Sequence, residues 1–176
     1  AIEGHVLDEL GNPIAGVEVT AHEDDGPGFR AFTDDQGYYS IGVMVGGYDV
    51  EINWESLSQP YLVPFGTYIQ VGDFAVATAN FTLYTANNSI SGSVTLDGTP
   101  MPEAMVFGMN HNLQGYVITM ADMGGSYDLP VYGGPEDFYD LGVFFEDMSA
   151  IVQVSNNQQV PAGTQSEMII LETIPG

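Results

Sequence analysis

Apolar and polar residues alternate along several short segments of the chain, which is the pattern of strands with one buried face. In the first segment Ile2, Gly4 and Val6 are separated by polar residues, and Tyr48 and Val50 alternate in the same way further on. Gly, Pro, Asn and Asp fill the breaks between such segments, as turns require. Since no segment keeps the spacing of an amphipathic helix, the pattern predicts an all-β protein.

The same pattern of strands occurs twice in the sequence. A shift of 88 residues places Gly4 and Val6 on Gly92 and Val94. It also places Asp34, Gly37, Tyr39 and Ile41 on Asp122, Gly125, Tyr127 and Leu129, and Val17 and Val19 on Met105 and Phe107, whereas a shift of 87 matches 80–83 with 167–170. Because a polar linker lies at 85–89, the repeat predicts two tandem β-sandwich domains, 1–85 and 86–176.

The first copy resembles the carboxypeptidase regulatory-like domain. The resemblance rests on Gly-x-Val-x-Asp at 4–8, Gly-x-Pro-Ile-x-Gly-Val at 11–17, Thr-Asp-x-x-Gly-x-Tyr at 33–39, Gly-x-Tyr-x-Val-x-Ile at 46–52 and a closing strand at 81–83. It implies a seven-stranded, prealbumin-like (transthyretin-like) sandwich in each domain, related to the Cna-B and starch-binding-like sandwiches. Members serve as accessory domains of enzymes, adhesin stalks and surface-protein repeats, generally without a catalytic site. The second copy is more divergent.

The charge of the chain restricts its partners. Of 176 residues, 24 are acidic, Arg30 is the one base, and the formal net charge is -23. Nucleic acids and anionic membrane surfaces need Lys and Arg, so both are excluded as expected partners. The absence of cysteine excludes disulfides and thiolate metal sites, and the absence of lysine excludes Lys–Asn isopeptide bonds and sortase-built polymers. Divalent cations, cationic partners or a high-salt setting are favoured instead.

Acidic residues in the turns are candidate calcium ligands. If the early strands form a meander, Asp8 and Glu9 approach Asp34 and Asp35 at one end of the sandwich, and Glu55 emerges there too. The second copy offers Asp97, Asp122, Glu146 and Asp147. Calcium takes six to eight oxygen ligands, so clustered carboxylates and carbonyls suit it. The alternative is that Asp is present because it forms turns well.

The sequence offers little for catalysis. His5, His22 and His111 are scattered over different segments, so the chain is expected not to be an enzyme and to need no cofactor besides calcium. Its many aromatic residues either fill the core or form exposed platforms that stack on sugars. The apolar segment 56–68 is too long for a turn and is interpreted as an insertion that packs against a neighbour, in the same chain or in another.

Two functions follow from these features. The first is an extracellular structural or adhesive protein, the non-covalently assembled subunit of a surface fibre, which self-associates through sheet edges or segment 56–68 with cations assisting the packing. The second is a carbohydrate-binding accessory module with a glycan partner. Asn80 and Asn87 begin glycosylation sequons, and the start at Ala1 suggests a secreted, processed protein.

Overall fold

The computed structural model describes residues 1–24, 26–144 and 157–173 in full, and the backbone of 152–154. The chain divides into two compact units, Ala1–Thr85 and Ala86–Gly176. Strands make up nearly all of the regular structure in this described part, with a single short 3-10 helix at Trp54–Ser56. The predicted all-β, sandwich-like fold is confirmed, although a count of seven strands in each domain is not.

The first unit folds into two facing sheets. Its strands are β1 Ile2–Asp8, β2 Glu18–His22, β3 Gly28–Phe32, β4 Tyr38–Ile41, β5 Gly46–Ile52, β6 Tyr61–Pro64, β7 Thr67–Val71, β8 Ala77–Thr78 and β9 Phe81–Thr85. One sheet has the order β6-β9-β1-β4, with β8 beside the start of β1, and the other has the order β3-β2-β5-β7. Side chains such as Tyr39, Tyr48 and Leu83 fill the space between the sheets and are fully buried.

The second unit is built in the same way. Its strands are β10 Asn88–Leu96, β11 Thr99–Pro100, β12 Met105–Asn110, β13 Gly115–Met120, β14 Ser126–Val131, β15 Phe138–Phe144, β16 Val152–Val154, β17 Val160–Pro161 and β18 Glu167–Thr173. One sheet has the order β14-β10-β18-β16, with β11 also on β10, and the other has the order β13-β12-β15-β17. Leu129, Tyr139 and Leu171 lie in its core.

Strand pairing in the second unit repeats that of the first. β1 pairs with β4 in antiparallel and with β9 in parallel orientation, and β10 pairs with β14 and β18 in the same two ways. Val6 lies opposite Phe81, and 88 residues further on Val94 lies opposite Ile169. The predicted shift of 87 for the closing strand is therefore wrong. It would place Phe81 on Met168, which is 52% exposed, because a slip of one residue moves every side chain to the other face.

The predicted shift of 88 fails for the second strand of each unit. Val19 and Val106 are both fully buried, so Val19 corresponds to Val106 and not to Phe107. The preceding hairpin explains the difference. In the first unit the Val6 carbonyl accepts a hydrogen bond of 3.0 Å from the Ile14 N–H. In the second unit the Val94 carbonyl accepts the equivalent bond, of 2.9 Å, from the Met101 N–H, which is one residue earlier in the repeat than Ile14. Because this hairpin is one residue shorter, the residues of β12 that the predicted shift places on the buried face lie on the outer face, and the reverse.

A glycine and a tyrosine fix the place where the last strand enters each unit. The carbonyl oxygen of Ala79 lies so close to Gly4 that a Cβ at position 4 would overlap with it. The buried Tyr39 hydroxyl donates a hydrogen bond of 2.7 Å to that same oxygen, and burial raises the pKa of Tyr39. The same arrangement recurs in the second unit with Gly92, Glu167 and Tyr127.

Segment 56–68 belongs to the sandwich of the first unit. It contributes β6, which pairs with β9, and the start of β7, which pairs with β5 in the opposite sheet. Leu62 and Val63 are 0% and 2% exposed. Leu62 and Val63 thus find their neighbours inside the chain, whereas Tyr68 at the end of the segment is 62% exposed. Among the described residues, no helix has the length and apolar character needed to cross a membrane.

Candidate functional site

The acidic turns meet at one end of the first unit, though not through a meander. β1 pairs with β4 and β9, while β2 lies in the other sheet, so the predicted meander is wrong. The turns that follow Asp8 and Asp34 nevertheless lie at the same end, because β1 and β4 are antiparallel and Val6 donates a hydrogen bond of 2.8 Å to the Gly37 carbonyl.

Asp8 closes its own turn. Its Oδ1 accepts hydrogen bonds from the N–H groups of Leu10 at 2.9 Å and Asn12 at 2.8 Å, and its Oδ2 accepts one from the Asn12 amide at 2.9 Å. The Asn12 side chain, followed by these backbone donors, lowers the pKa of Asp8. The carboxylate is thus oriented toward donors of its own turn.

Asp34 and Asp122 close matching turns in the two units. Asp34 Oδ1 accepts hydrogen bonds from the backbone N–H groups two and four residues on, at 2.8 and 2.9 Å. Asp122 Oδ1 accepts the equivalent pair at 2.8 and 2.9 Å. These are Asx turns, in which an aspartate caps backbone N–H groups of its own turn, and this role accounts for aspartate at both positions.

Two other carboxylates tie down the last strand of each unit. Glu9 Oε2 accepts hydrogen bonds from the N–H and the hydroxyl of Thr85 at 2.9 and 3.0 Å. At the equivalent positions, Asp97 accepts hydrogen bonds from the N–H and the hydroxyl of Thr173 at 2.9 and 2.6 Å. Each contact joins the turn after the first strand of a unit to the end of its last strand.

We expect the substitution Thr173→Val to raise the pKa of Asp97 toward its ordinary value, because the Thr173 hydroxyl is the main group that lowers it. A carboxylate with a lowered folded-state pKa stabilises the fold above its ordinary pKa, and that contribution is lost as the pH falls through the folded-state value. The side-chain carboxyl resonance of Asp97, followed by NMR from pH 2 to 6, measures the shift. Thr164→Val is the control, since the Thr164 hydroxyl donates its hydrogen bond to the Pro161 carbonyl and not to Asp97. An unchanged titration in Thr173→Val would contradict the assignment.

Calcium binding remains a prediction from the sequence. Asp35 is exposed beside Asp34, Glu55 lies in the short 3-10 helix, and Glu146 and Asp147 fall outside the described residues. Across the described ranges, no three His, Asp or Glu side chains lie grouped so that they could hold a metal ion. The carboxylates of Asp8, Glu9, Asp34, Asp97 and Asp122 each accept hydrogen bonds from donors of the chain itself.

The histidines and the sequon asparagines lie at separate places. In the first unit the His5 ring lies against the Tyr38 ring with centroids 5.4 Å apart and planes tilted by 58°. In the second unit His111 Nε2 lies 2.8 Å from Asp140 Oδ2. Asn80 is exposed and accepts a hydrogen bond from the His5 N–H at 2.9 Å, while Asn87 is exposed and accepts one from a backbone N–H at 2.9 Å. Glycosylation at either asparagine stays a prediction.

Several aromatic and apolar side chains lie on the surface of the first unit. Tyr68 on β7 is 62% exposed, and Phe74 is fully exposed in the loop between β7 and β8. Phe74 has a φ of 55°, a left-handed conformation that is unusual for a bulky residue. With Met44, Val45 and neighbouring residues it lines an open cleft of about 430 Å³. The aromatic residues therefore serve both as core and as surface.

The edges of the sheet β3-β2-β5-β7 differ in charge. β3 carries Arg30, whose guanidinium lies 3.5 Å from the Glu18 carboxylate on β2. β7 has the sequence Thr-Tyr-Ile-Gln-Val and contains neither a charged residue nor a proline. Thr67, Tyr68 and Gln70 are exposed on it. The edge strand β7 therefore carries no charged side chain.

The architecture of the first unit agrees with a known domain. Residues 1–84 match the family model described as the carboxypeptidase regulatory-like domain. The first unit is similar to this family over nearly its whole length. The match covers the two-sheet sandwich from β1 through β9 and includes the turns closed by Asp8 and Asp34. Carboxypeptidase regulatory-like domains are non-catalytic folds.

Solved structures that resemble the whole chain do so distantly. The Bacillus anthracis TIE protein is 13% identical with a TM-score of 0.44, over 98% of this chain and 34% of that one. A streptococcal ancillary pilin is 13% identical with a TM-score of 0.41, over 99% and 62%. The shaft pilin SpaA of Lactobacillus rhamnosus GG is 10% identical with a TM-score of 0.39, over 99% and 98%. The chain thus spans less than two thirds of the first two. No curated protein sequence matches it.

Proposed function

We propose that the chain is a non-enzymatic extracellular structural or adhesive protein, which assembles non-covalently with copies of itself as the subunit of a surface fibre. The regulatory-like domain at residues 1–84 supports a module without catalysis. The acidic side chains of Asp8, Glu9 and Asp97 bond turns and strand ends of their own unit. They give a stable module and leave binding to its surfaces.

The β7 edge is the observation that carries this proposal. An edge strand presents unpaired N–H and C=O groups, to which a strand of another chain can add. Proteins that stay monomeric protect such edges with lysine, proline, bulges or inward charges. β7 has no charged residue and no proline. Pairing of β7 with the opposite edge, β3, of the next copy is a heterologous contact, which leaves both ends of the assembly open for growth.

Assembly of this chain requires that its charge be screened. Each copy carries a formal charge of -23, so two copies repel one another strongly at low ionic strength. The Debye length falls from about 10 Å at 0.1 M salt to about 3 Å at 1 M, and divalent cations screen more strongly still. We therefore expect assembly to be promoted by salt, and calcium is the candidate cation in an extracellular setting.

The proposal is tested by light scattering and electron microscopy of the purified chain, with and without calcium and at low and high salt. We expect particles larger than a dimer, and filaments in micrographs. Gln70→Lys puts a charge on the β7 edge and should raise the concentration needed for assembly at least tenfold. Thr82→Lys is the matched control, because Thr82 is equally exposed but lies on β9, inside the other sheet.

Two results would overturn the proposal. One is a wild-type chain that stays monomeric in every condition. The other is assembly that both lysine variants weaken equally, since this would assign the effect to the added charge and not to the edge strand.

A further inference from the structure

The outer face of one sheet in the second unit is apolar. Along β12 the buried residues alternate with residues that point outward, as they do along β13 and β15. Six of the outward residues have Met, Phe or Ile side chains and are here called the apolar face: Met105, Phe107, Met109, Ile118, Met120 and Phe144. Met120 and Phe144 are 55% and 58% exposed, whereas the other four are half-buried, so within the described residues the end of the face at Met120 and Phe144 is open.

The side chains of the apolar face are packed against one another across the strands. Phe107 lies opposite Ile118 on one side and Gly142 on the other. The rings of Phe107 and Phe144 have centroids 4.5 Å apart. A Cβ at Gly142 would overlap with the Phe107 ring, so the glycine lets this ring lie over the strand. The result is a continuous apolar surface over three strands.

The fold itself does not require this surface. In the first unit the equivalent face of β2, β3 and β5 is mostly polar: Met105 corresponds to Glu18, Phe107 to Thr20, Ile118 to Arg30 and Gly142 to Glu51, while Met120 corresponds to the exposed Phe32. The strand registers establish these pairs, since Thr20 lies opposite Arg30 and Glu51 just as Phe107 lies opposite Ile118 and Gly142. Two sandwiches with the same pairing thus present outer faces of different polarity, and the more apolar face is in the second unit.

We propose that the apolar face is covered by the same face of a second copy of this chain, so that two second units pack sheet against sheet about a twofold axis. This inference deepens the self-association proposed above. The chain has one base for 24 acids, so a second copy offers almost no positive surface to meet the acidic regions. The six side chains of the apolar face carry no charge, and the carboxylate on the same outward rows is that of Asp140, which lies opposite Met109 at one end of the face and 2.8 Å from His111 Nε2. The centre of the face, around Phe107, is therefore a surface on which two such copies meet without apposing carboxylates, and an isologous contact pairs it with itself.

The size of the face sets the expected strength. Three strands about 4.8 Å apart and six residues of about 3.4 Å each give a footprint of roughly 300 Å² per copy. Apolar patches of a few hundred Å² mark interaction sites, but a contact this small lies below the area of stable interfaces. The dimer is consequently weak, with a dissociation constant in the range of about 0.1 to 1 mM. Such a contact gains strength when many copies are held in one fibre.

The test exchanges the face for its counterpart in the first unit. The triple variant Met105→Glu, Phe107→Thr, Ile118→Arg introduces the side chains that the first unit has at Glu18, Thr20 and Arg30. The strands involved have the same register in both units, and the net charge is unchanged. Sedimentation velocity of the full chain from about 0.01 to 1 mM, in about 0.5 M salt, measures the monomer–dimer equilibrium. We expect at least a tenfold rise in the dissociation constant of the dimer. Met168→Thr, on the outer face of the other sheet, is the control and should dimerise like the wild type.

The outcomes separate this inference from the proposed function. A triple variant that is folded by circular dichroism and dimerises like the wild type overturns the apolar face as the contact, whether or not polymers form. A wild-type chain that forms dimers lost in the triple variant, but no larger particles, supports the face and overturns the fibre. A wild-type chain that is monomeric at 1 mM overturns both.

Discussion

Replacing Gly92 with alanine is expected to destabilise the second unit by about 3 kcal/mol, a large effect for one methyl group. The added Cβ would overlap with the Glu167 carbonyl oxygen on β18. That oxygen is held by the Tyr127 hydroxyl at 2.8 Å, and β18 is in register with β10 along five residue pairs. The strand cannot move aside without losing this hydrogen bond and distorting the pairing.

Urea denaturation measures the effect, with two signals that report different parts of the chain. Trp54 is the only tryptophan and lies in the first unit, whereas far-ultraviolet circular dichroism reports both units. In Gly92→Ala the circular dichroism transition should begin at lower urea, while the Trp54 transition moves less. Gly4→Ala should move the Trp54 transition instead. The control is Gly42→Ala, where a Cβ meets nothing within 4 Å. Equal stability of Gly92→Ala and Gly42→Ala would contradict the steric argument.

The sequence predicted that Gly4 and Gly92 are equivalent but not why a glycine is needed. The overlay of the two copies matches these glycines through neighbouring residues of the same strand, so their equivalence can be read from the local sequence. The groups that a Cβ would strike belong to residues 79 and 167, some 75 positions away along the chain. Such an approach depends on which strand lies beside β1 or β10, and alternation of apolar residues does not specify that.

Registers were predicted well only where hairpins have equal lengths. The shift of 88 holds for β1 and β4 against β10 and β14, but β2 and β12 are offset by one residue because the hairpin before β12 is shorter. A one-residue slip reverses which side chains are buried. That slip concealed the apolar face, since the overlay put Phe107 on the buried Val19 instead of the outward Thr20.

The acidic turns show a second limit of sequence reasoning. Asp8, Asp34 and Asp122 were correctly located in turns, and Asp is suited both to calcium and to capping backbone N–H groups. The sequence does not show where the carboxylate oxygens point. In the structure one oxygen of each aspartate accepts from N–H groups two and four residues on, which establishes the capping role, and calcium binding stays a prediction.

Thr33→Val is expected to destabilise the first unit by about 2–4 kcal/mol, although valine and threonine have nearly the same shape. Thr33 is 5% exposed, and its hydroxyl accepts a hydrogen bond of 2.9 Å from the Val17 N–H and donates one of 2.7 Å to the Ile14 carbonyl. With a methyl group in place of the hydroxyl, the Val17 N–H and the Ile14 carbonyl both lose their hydrogen-bond partner. Each buried polar group that is left unsatisfied costs about 1–3 kcal/mol.

A matched variant separates the hydrogen bonds from the packing. Thr33→Ser keeps the hydroxyl and removes only the methyl group, so it should cost about 1 kcal/mol, and urea unfolding followed by Trp54 fluorescence compares the two. If Ser destabilises as much as Val, the methyl contact and not the hydroxyl is what holds this position. The equivalent residue of the second unit is Ala121. Its N–H donates a hydrogen bond of 2.8 Å to the Ala104 carbonyl, as the Thr33 N–H does to the Val17 carbonyl. The backbone contact is therefore common to both sandwiches, and the hydroxyl is an addition specific to the first, where it fixes the loop that leads into the β2 strand.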